Sequence, residues 1–399
     1  LALQLLYTVF GLYSLLAIPP TYRLARARFG DDAASIAAWL MAVEAALPRL
    51  STRALISMAS IPPLLWGLVG VERGTRSDVG SRWRALAVGG ALISVAALFR
   101  FQIGLLFLTL VVWMIFKLRH TERVSALSAL CAGGLLGAIA QLGLDLHAFG
   151  SATPAPWLYL KYNMEESSRF GVAPWFSYAG MFILLTLPPA TIALGAGIWR
   201  AARRYPLLST PFAVFFVFHS AIGHKEERFL FPLIPIFLIL LAPALLESYR
   251  AGGWRRGLVR YFWIINAVLL VGASISDAHR NVIAPMVDAS RDSNVTEFYA
   301  IGHMLFPRYY LGESTEGSRL NDVPALIERW SEQTPSGTVR ILFNRPPSDE
   351  ELARIRSRAA SCATERWSHS DAVDQLLVWV NPIGNKRRRG PKLVIDCHF

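Results

Sequence analysis

The chain has 399 residues, of which 53% are hydrophobic and only 17% charged, and its net charge is +12. A soluble domain is about one-quarter charged, so this composition argues against an ordinary globular enzyme, and its apolar content argues against disorder. The basic excess suggests nucleic acid at first, but all of it sits in the apolar part: residues 1–276 hold 24 Lys/Arg against 12 Asp/Glu, whereas residues 277–399 hold 16 of each.

A helix crossing a bilayer needs about 20 apolar residues. Ten apolar segments follow one another: 1–19, 33–48, 54–71, 85–99, 103–116, 125–141, 180–198, 207–222, 230–246 and 261–276. Segment 103–116 is short and segment 33–48 contains Glu44. The chain is apolar from Leu1 with no charged leader, which reads as a truncated N-terminus. The loops alternate in basic content. Loops 20–32, 72–84, 117–124, 199–206 and 247–260 hold 17 Lys/Arg, while 49–53, 100–102, 142–179 and 223–229 hold seven. The first set should face the cytoplasm and the second the outside. The net charge is then a record of topology, and no nucleic-acid partner is expected. Only five of the 40 basic residues are Lys. This Arg bias points to a GC-rich bacterial genome, hence a bacterial inner membrane (the endoplasmic reticulum if the source is eukaryotic).

The expected fold is an all-α polytopic membrane domain over 1–276, followed by an extracytoplasmic α/β domain over 277–399. In the latter, Asp322–Gln333 reads as a helix, Val339–Asn344 as a strand, and Ser348–Ala359 as a helix with a Ser cap. Leu376–Val380 and Leu393–Asp396 read as strands. The basic run Lys386–Arg389 reads as a solvated loop. Cys362 and Cys397 would pair if this domain is extracytoplasmic.

Chemistry is expected on the outer face, because only those loops vary their polar residues. His224, Lys225, Glu226, Glu227 and Arg228 form one ionisable run. It is either an interfacial anchor or a cationic site for a phosphate group, with the carboxylates orienting the cations or facing an acceptor. Arg53 and Arg100 each end a span; they either snorkel or add to the same site. Asp145 is a carboxylate at the membrane edge, awaiting a basic partner or positioning a substrate. Between them lies an aromatic stretch with Trp157, Tyr159, Tyr162, Trp175 and Tyr178. It reads as an interfacial belt or as a platform for a lipid chain and a sugar.

His224 to Phe229 resembles the His-Lys-Glu-x-Arg-Phe signature of the polyprenol-phosphate-mannose-dependent mannosyltransferases, glycosyltransferase family 22, which build N-glycans and GPI anchors. Asp145 to Gly150 resembles the family's Asp-x-x-x-Tyr-Gly, with Phe149 for Tyr. Trp157 to Asn163 resembles its Asn-Phe-x-x-Tyr-Asn, with Trp157 for Asn. Phe170-Gly171-x-x-Pro174-Trp175-x-x-Tyr178 resembles its Tyr-Gly-x-x-Pro-Trp-x-x-Tyr. Ser51-Thr52-Arg53 resembles a Ser/Thr-Arg-Thr segment preceding a Glu, where this chain has Ser57.

The resemblance implies a GT-C fold with an extracytoplasmic active site and inverting transfer of mannose from a polyprenyl phosphate to a glycan or glycolipid hydroxyl. His224, Lys225 and Arg228, with Arg53 and Arg100, would hold the donor phosphate. Glu226, Glu227 and Asp145 would orient these groups or the acceptor. Trp157, Tyr162, Asn163, Trp175 and Tyr178 would form the lipid and sugar platform. The resemblance also implies a first outer loop bearing the general base; no such motif occurs here, and the chain reads as starting after it. With cations at the phosphate, no metal or other cofactor is expected. The competing readings are a GT-C enzyme using another lipid-linked sugar, and a transporter or flippase of lipid-linked sugars, which would carry polar groups near the membrane midplane.

Overall fold

The computed structural model describes residues 2–76, 79–152, 155–166, 172–277, 279–302, 310–311, 315–380 and 389–399. Phe170 and Gly171 of the aromatic motif, and most of the basic run Lys386–Arg389, lie outside the described residues. The chain divides into two compact units, Leu1–Ser274 and Ile275–Phe399.

The first unit is helical: α1 (Ala2–Ser14), α2 (Ile18–Phe29), α3 (Asp31–Val43), α4 (Leu47–Ser51), α5 (Ile56–Ala59), α6 (Ile61–Arg76), α7 (Val79–Phe99), α8 (Ile103–Lys117), α9 (His120–Phe149), α10 (Ala155–Glu166), α11 (Ser177–Leu185), α12 (Thr191–Arg204), α13 (Pro206–Ala221), α14 (Ile234–Ala251) and α15 (Gly253–Ile275). Among the described residues, five helical runs are long and apolar enough to cross a membrane, with α8 and α13 as shorter apolar helices. This is an integral membrane protein. Helix α14 is its axle, buried along almost its whole length from Ile234 to Leu245, as expected of a helix apolar on every side. Helices α7 and α9 approach so closely that a Cβ on Gly90 would stand 2.1 Å from the Leu130 carbonyl oxygen, and one on Gly133 1.9 Å from that of Ala87. Only glycine permits such backbone contact.

Several expected spans are modified. Segment 180–198 is two helices, because Pro188 and Pro189 supply no N–H to continue α11. Segment 33–48 stops at Val43, where Asn266 of α15 accepts from Ala45 N and donates to Val43 O, fixing a non-helical turn. The segment starting at 125 continues as helix to Phe149, ended by Gly150 in the left-handed conformation (φ 65°). Asp145 therefore lies within a helix, not beyond one.

The two sets of loops gather separately. On the arginine-rich side, Arg28 is 3.9 Å from Glu72, Arg82 is 3.2 Å from Glu122 and Arg200 is 2.7 Å from Glu247. Arg250 pairs with Asp32, and Arg28 lies over the Tyr205 ring. All five basic loops are thereby tied together. Three of the sparsely basic loops, 100–102, 142–179 and 223–229, meet one another at the candidate site.

The second unit is a five-stranded sheet in the order β2-β1-β3-β5-β4, from β1 (Val295–Ile301), β2 (Glu316–Leu320), β3 (Thr338–Phe343), β4 (Ser361–Ser368) and β5 (Lys392–His398). Strands β2, β1 and β3 are parallel, and β5 is antiparallel to both β3 and β4. Val339, Ile341 and Phe343 face a core closed by α17 (Val323–Glu332) and α18 (Asp349–Arg356). Phe298, Ala300 and Leu342 face one that includes Val282 and Met286 of α16 (Arg280–Arg291). Ser348 caps α18 in a full capping box with Glu351. Cys362 and Cys397 are opposite each other on β4 and β5 and form a disulfide. One expected strand is wrong: Leu376–Val380 belongs to helix α19 (Ala372–Val380). Its apolar run is ambiguous by period; the deciding signal is Asp371, whose carboxylate accepts from Asp374 N at 2.7 Å and starts the helix.

Candidate functional site

Helix α13 ends at Ala221; beyond it His224–Glu226 form a loop, and Glu227 and Arg228 open a short 3-10 helix, Glu227–Leu233. The loop is folded back by Lys225. Its ammonium donates to the Ser220 carbonyl at 2.8 Å and to that of Ile222, so it closes the end of α13, where carbonyls lack helical partners. Burial lowers the Lys225 pKa from its ordinary 10.5. Glu226 is the hub of the loop. One carboxylate oxygen lies 3.2 Å from His224 Nε2, and the other accepts from Arg228 Nε. Burial alone would raise the Glu226 pKa, but Arg228 and His224 outweigh it and hold the carboxyl below its usual 4.5. Tyr178 locks the backbone: its hydroxyl accepts from Glu226 N and donates to Glu226 O, both at 3.1 Å. Tyr178 is 3% exposed, so it is a strut of this loop and not part of an open aromatic platform. Glu227 and Arg228 are exposed.

Arg100 enters from the turn between α7 and α8. It is 5% exposed, and its guanidinium donates from Nη1 to Ser57 Oγ at 2.6 Å and lies 5.1 Å from the Phe229 ring centroid. Its Nε and Nη2 are buried without a hydrogen-bond partner among the described residues. Burial pulls its pKa below the ordinary 12.5, with Tyr159 and Glu226 opposing and Arg228 assisting. A buried cation with unused donors costs several kcal/mol unless something anionic meets it.

His219 was not singled out from the sequence. Its Nδ1 donates to Phe215 O at 2.9 Å, its ring stacks on Phe215 at 4.0 Å, and its Nε2 is buried without a partner among the described residues. The only signal was its place one turn before the ionisable run. Arg53 lies in the turn after α4, half-buried, with no ion pair to the loop among the described residues.

Asp145 is 5% exposed and has no basic partner among the described residues. It accepts from Gln141 Nε2 at 2.8 Å and from Ala155 N at 3.4 Å, which positions the start of α10. On α10 and beyond, Trp157, Tyr162 and Trp175 are 59%, 48% and 71% exposed. Asn163 donates to Tyr159 O, and Tyr159 in turn accepts from Gln102, beside Arg100. A cavity of about 650 Å³ opens between α7, α8 and α9. Its walls are apolar, including Ile93, Ala97, Phe107 and Leu135; Phe101, next to Arg100, and Asp145 also line it. The slot is thus apolar, with Asp145 as the charged residue of its lining, and the Arg100 guanidinium is buried next to Phe101 at its edge. No group of three or more His, Cys, Asp or Glu side chains suited to a metal ion occurs among the described residues.

Residues 2–296 match the sequence profile of the Alg9-like mannosyltransferase family. GPI mannosyltransferase 3 of Drosophila melanogaster is 30% identical over 178 residues, which are 41% of this chain and 30% of that protein. The alpha-1,2-mannosyltransferase ALG9 of Saccharomyces cerevisiae is 35% identical over 105 residues, 25% of this chain and 18% of that one. The matches thus span under a third of these relatives. Among solved structures, ArnT from Cupriavidus metallidurans bound to undecaprenyl phosphate superposes with a TM-score of 0.60 at 14% identity, covering 96% of this chain and 82% of that one. Its apo form gives 0.58. This likeness establishes the shared GT-C fold.

Proposed function

The chain belongs to the Alg9-like mannosyltransferase family, and from that premise we propose that it transfers mannose from a polyprenyl phosphate to a hydroxyl of a glycan or glycolipid, with inversion. The observation that carries this reading is Arg100, a buried guanidinium with two unused donors beside the His224–Arg228 loop. The donor phosphate would take those donors, with Arg228 at the rim and the polyprenyl chain in the cavity beside Phe101. In the reaction the bond from the sugar's anomeric carbon to the phosphate oxygen breaks. The acceptor oxygen forms the new bond and its proton passes to a base. Polyprenyl phosphate leaves with an added negative charge, which fixed donors stabilise without reorganising. Glu226 is committed to His224 and Arg228 and serves as a positioning residue; exposed Glu227 is the carboxylate free to meet an acceptor hydroxyl.

Two features support placing this chemistry outside the cytosol. The loops that form the site all belong to the sparsely basic set. The second unit carries the disulfide Cys362–Cys397, a kind of bond that persists in oxidising compartments and is rare in the cytosol. The test is reconstitution of the full chain in proteoliposomes with radiolabelled polyprenyl-phosphate mannose and a soluble mannoside acceptor. Label should pass to the acceptor, and Arg228→Ala should reduce the rate with insertion unchanged. Movement of the intact donor across the bilayer without cleavage would instead establish a flippase. Transfer from a different lipid-linked sugar, with mannose refused, would overturn the choice of sugar.

A further inference from the structure

A second pocket lies on the opposite, arginine-rich side of the helical unit, about 510 Å³ in volume, between the last turns of α2 and α6. Arg23, Arg26, Arg73 and Arg76 line it, with one carboxylate, Glu72. Four guanidinium groups and the Glu72 carboxylate line it, and Asp31, outside the lining, pairs with Arg26. The surrounding contacts show how the charges are held. Glu72 is 5% exposed and sits beneath, with Arg76 Nε at 2.7 Å (close, though without an aligned hydrogen bond) and Arg28 Nε at 3.9 Å. Arg76 also donates to Ala27 O at 2.9 Å, which ties α6 to α2 across the cavity floor. Arg23 lies flat over Trp66 at 4.7 Å and has no carboxylate within ion-pair distance among the described residues. Among the described residues Arg26 pairs with Asp31, at 2.8 Å, in a pair exposed by more than half on both sides, and such a pair holds weakly against a competing anion.

Basic residues at helix C-termini and on one membrane side are expected from helix dipoles and topology alone. Those rules scatter cations over a face; they do not by themselves gather four of them around one open cavity, braced by a buried carboxylate and an indole. Guanidinium forks match phosphate oxygens in pairs, and a basic pocket between membrane helices at the interface is suited to an anionic lipid head group. We propose that this pocket binds a phosphate group, carried by an anionic phospholipid of the adjoining leaflet or by a soluble phosphate compound. The site is separate from the proposed transferase site, and its test does not measure transfer.

The full chain would be purified in neutral phosphatidylcholine nanodiscs and in nanodiscs containing phosphatidylglycerol, then released for native mass spectrometry. Phosphatidylglycerol should be retained over phosphatidylcholine, and Arg23→Ala with Arg73→Ala should cut retention by about fivefold for each arginine removed. Arg23→Lys with Arg73→Lys keeps the charge but loses the fork. It should retain lipid at an intermediate level, and it serves if the alanine variant does not fold. Inorganic phosphate added to the phosphatidylcholine sample identifies the source. A thermal shift with phosphate that the variants abolish, without lipid retention, assigns the pocket to a soluble phosphate compound. Equal retention of both lipids together with no phosphate shift, or binding that both variants leave unchanged, would overturn the proposal.

Discussion

Arg100→Met separates a structural role for the buried guanidinium from a functional one. In the protein as it stands, Arg100 makes a charge-assisted bond to Ser57 Oγ at 2.6 Å and a cation–π contact with Phe229, worth roughly 1.5–3 and 0.5–2 kcal/mol. Against these stand Nε and Nη2, buried and unmade, each costing about 1–3 kcal/mol. The terms nearly cancel, and methionine fills a similar volume without a charge to desolvate. Thermal stability in detergent should therefore hold or rise slightly. Transfer should not survive as well. Losing fixed donors to the departing phosphate should lower kcat by about 10²–10³, or roughly 2.7–4 kcal/mol. The assay pairs an unfolding midpoint with initial rates of mannosyl transfer in proteoliposomes. Undiminished turnover would refute the phosphate assignment. Loss of activity in step with a lowered midpoint would show that Arg100 only holds the fold.

Further outcomes follow from the same geometry. Because Arg228 and His224 hold the Glu226 carboxyl below its usual value, the carboxylate is ionised at neutral pH and is lost only as pH falls through the lowered pKa, below 4.5. A pH–rate profile should therefore stay flat on this account above that point, and Glu226→Gln should remove the acidic limb attributable to it while lowering kcat. Gly133→Leu should destabilise the bundle by about 1–3 kcal/mol or more through overpacking, read as a lower unfolding midpoint, since a Cβ there already meets the Ala87 carbonyl oxygen at 1.9 Å. Chelation with EDTA should leave turnover unchanged, because the charge on the leaving phosphate is assigned to Arg100 and Arg228. Mass spectrometry of unreduced, alkylated protein should find Cys362 and Cys397 joined and Cys131 modified.

The membrane character and the alternation of basic and sparsely basic loops were legible because they rest on composition and on where arginines fall. Interior breaks were less so. The stop at Val43 depends on Asn266, more than 200 residues away, and no local pattern announces it. Within the site, the ionisable run was visible as a run, but the division of labour in it was not. Lys225 closes a helix end and Glu226 braces two cations; only the folded loop shows that the buried, under-used cation is Arg100. Tyr178 looked like one more aromatic of the belt, and its role depends on contact with a loop 48 residues on. In the second unit, caps made α17 and α18 readable, while strands β1, β2 and β4 lack a clean two-residue alternation and were missed.

Helix α9 gives the site a height. At about 1.5 Å per residue, Asp145 stands some 30 Å along the axis from Ser125, where the apolar stretch of this helix begins. That distance matches the hydrocarbon thickness of a bilayer. The helix thus works as a gauge rod: a lipid lying in the slot beside it would have its tail among Leu135 and Ala97 and its head group level with Asp145. Lengthening or shortening α9 by one turn would shift that level by about 5.4 Å, so membrane thickness becomes a variable to which the reaction should respond.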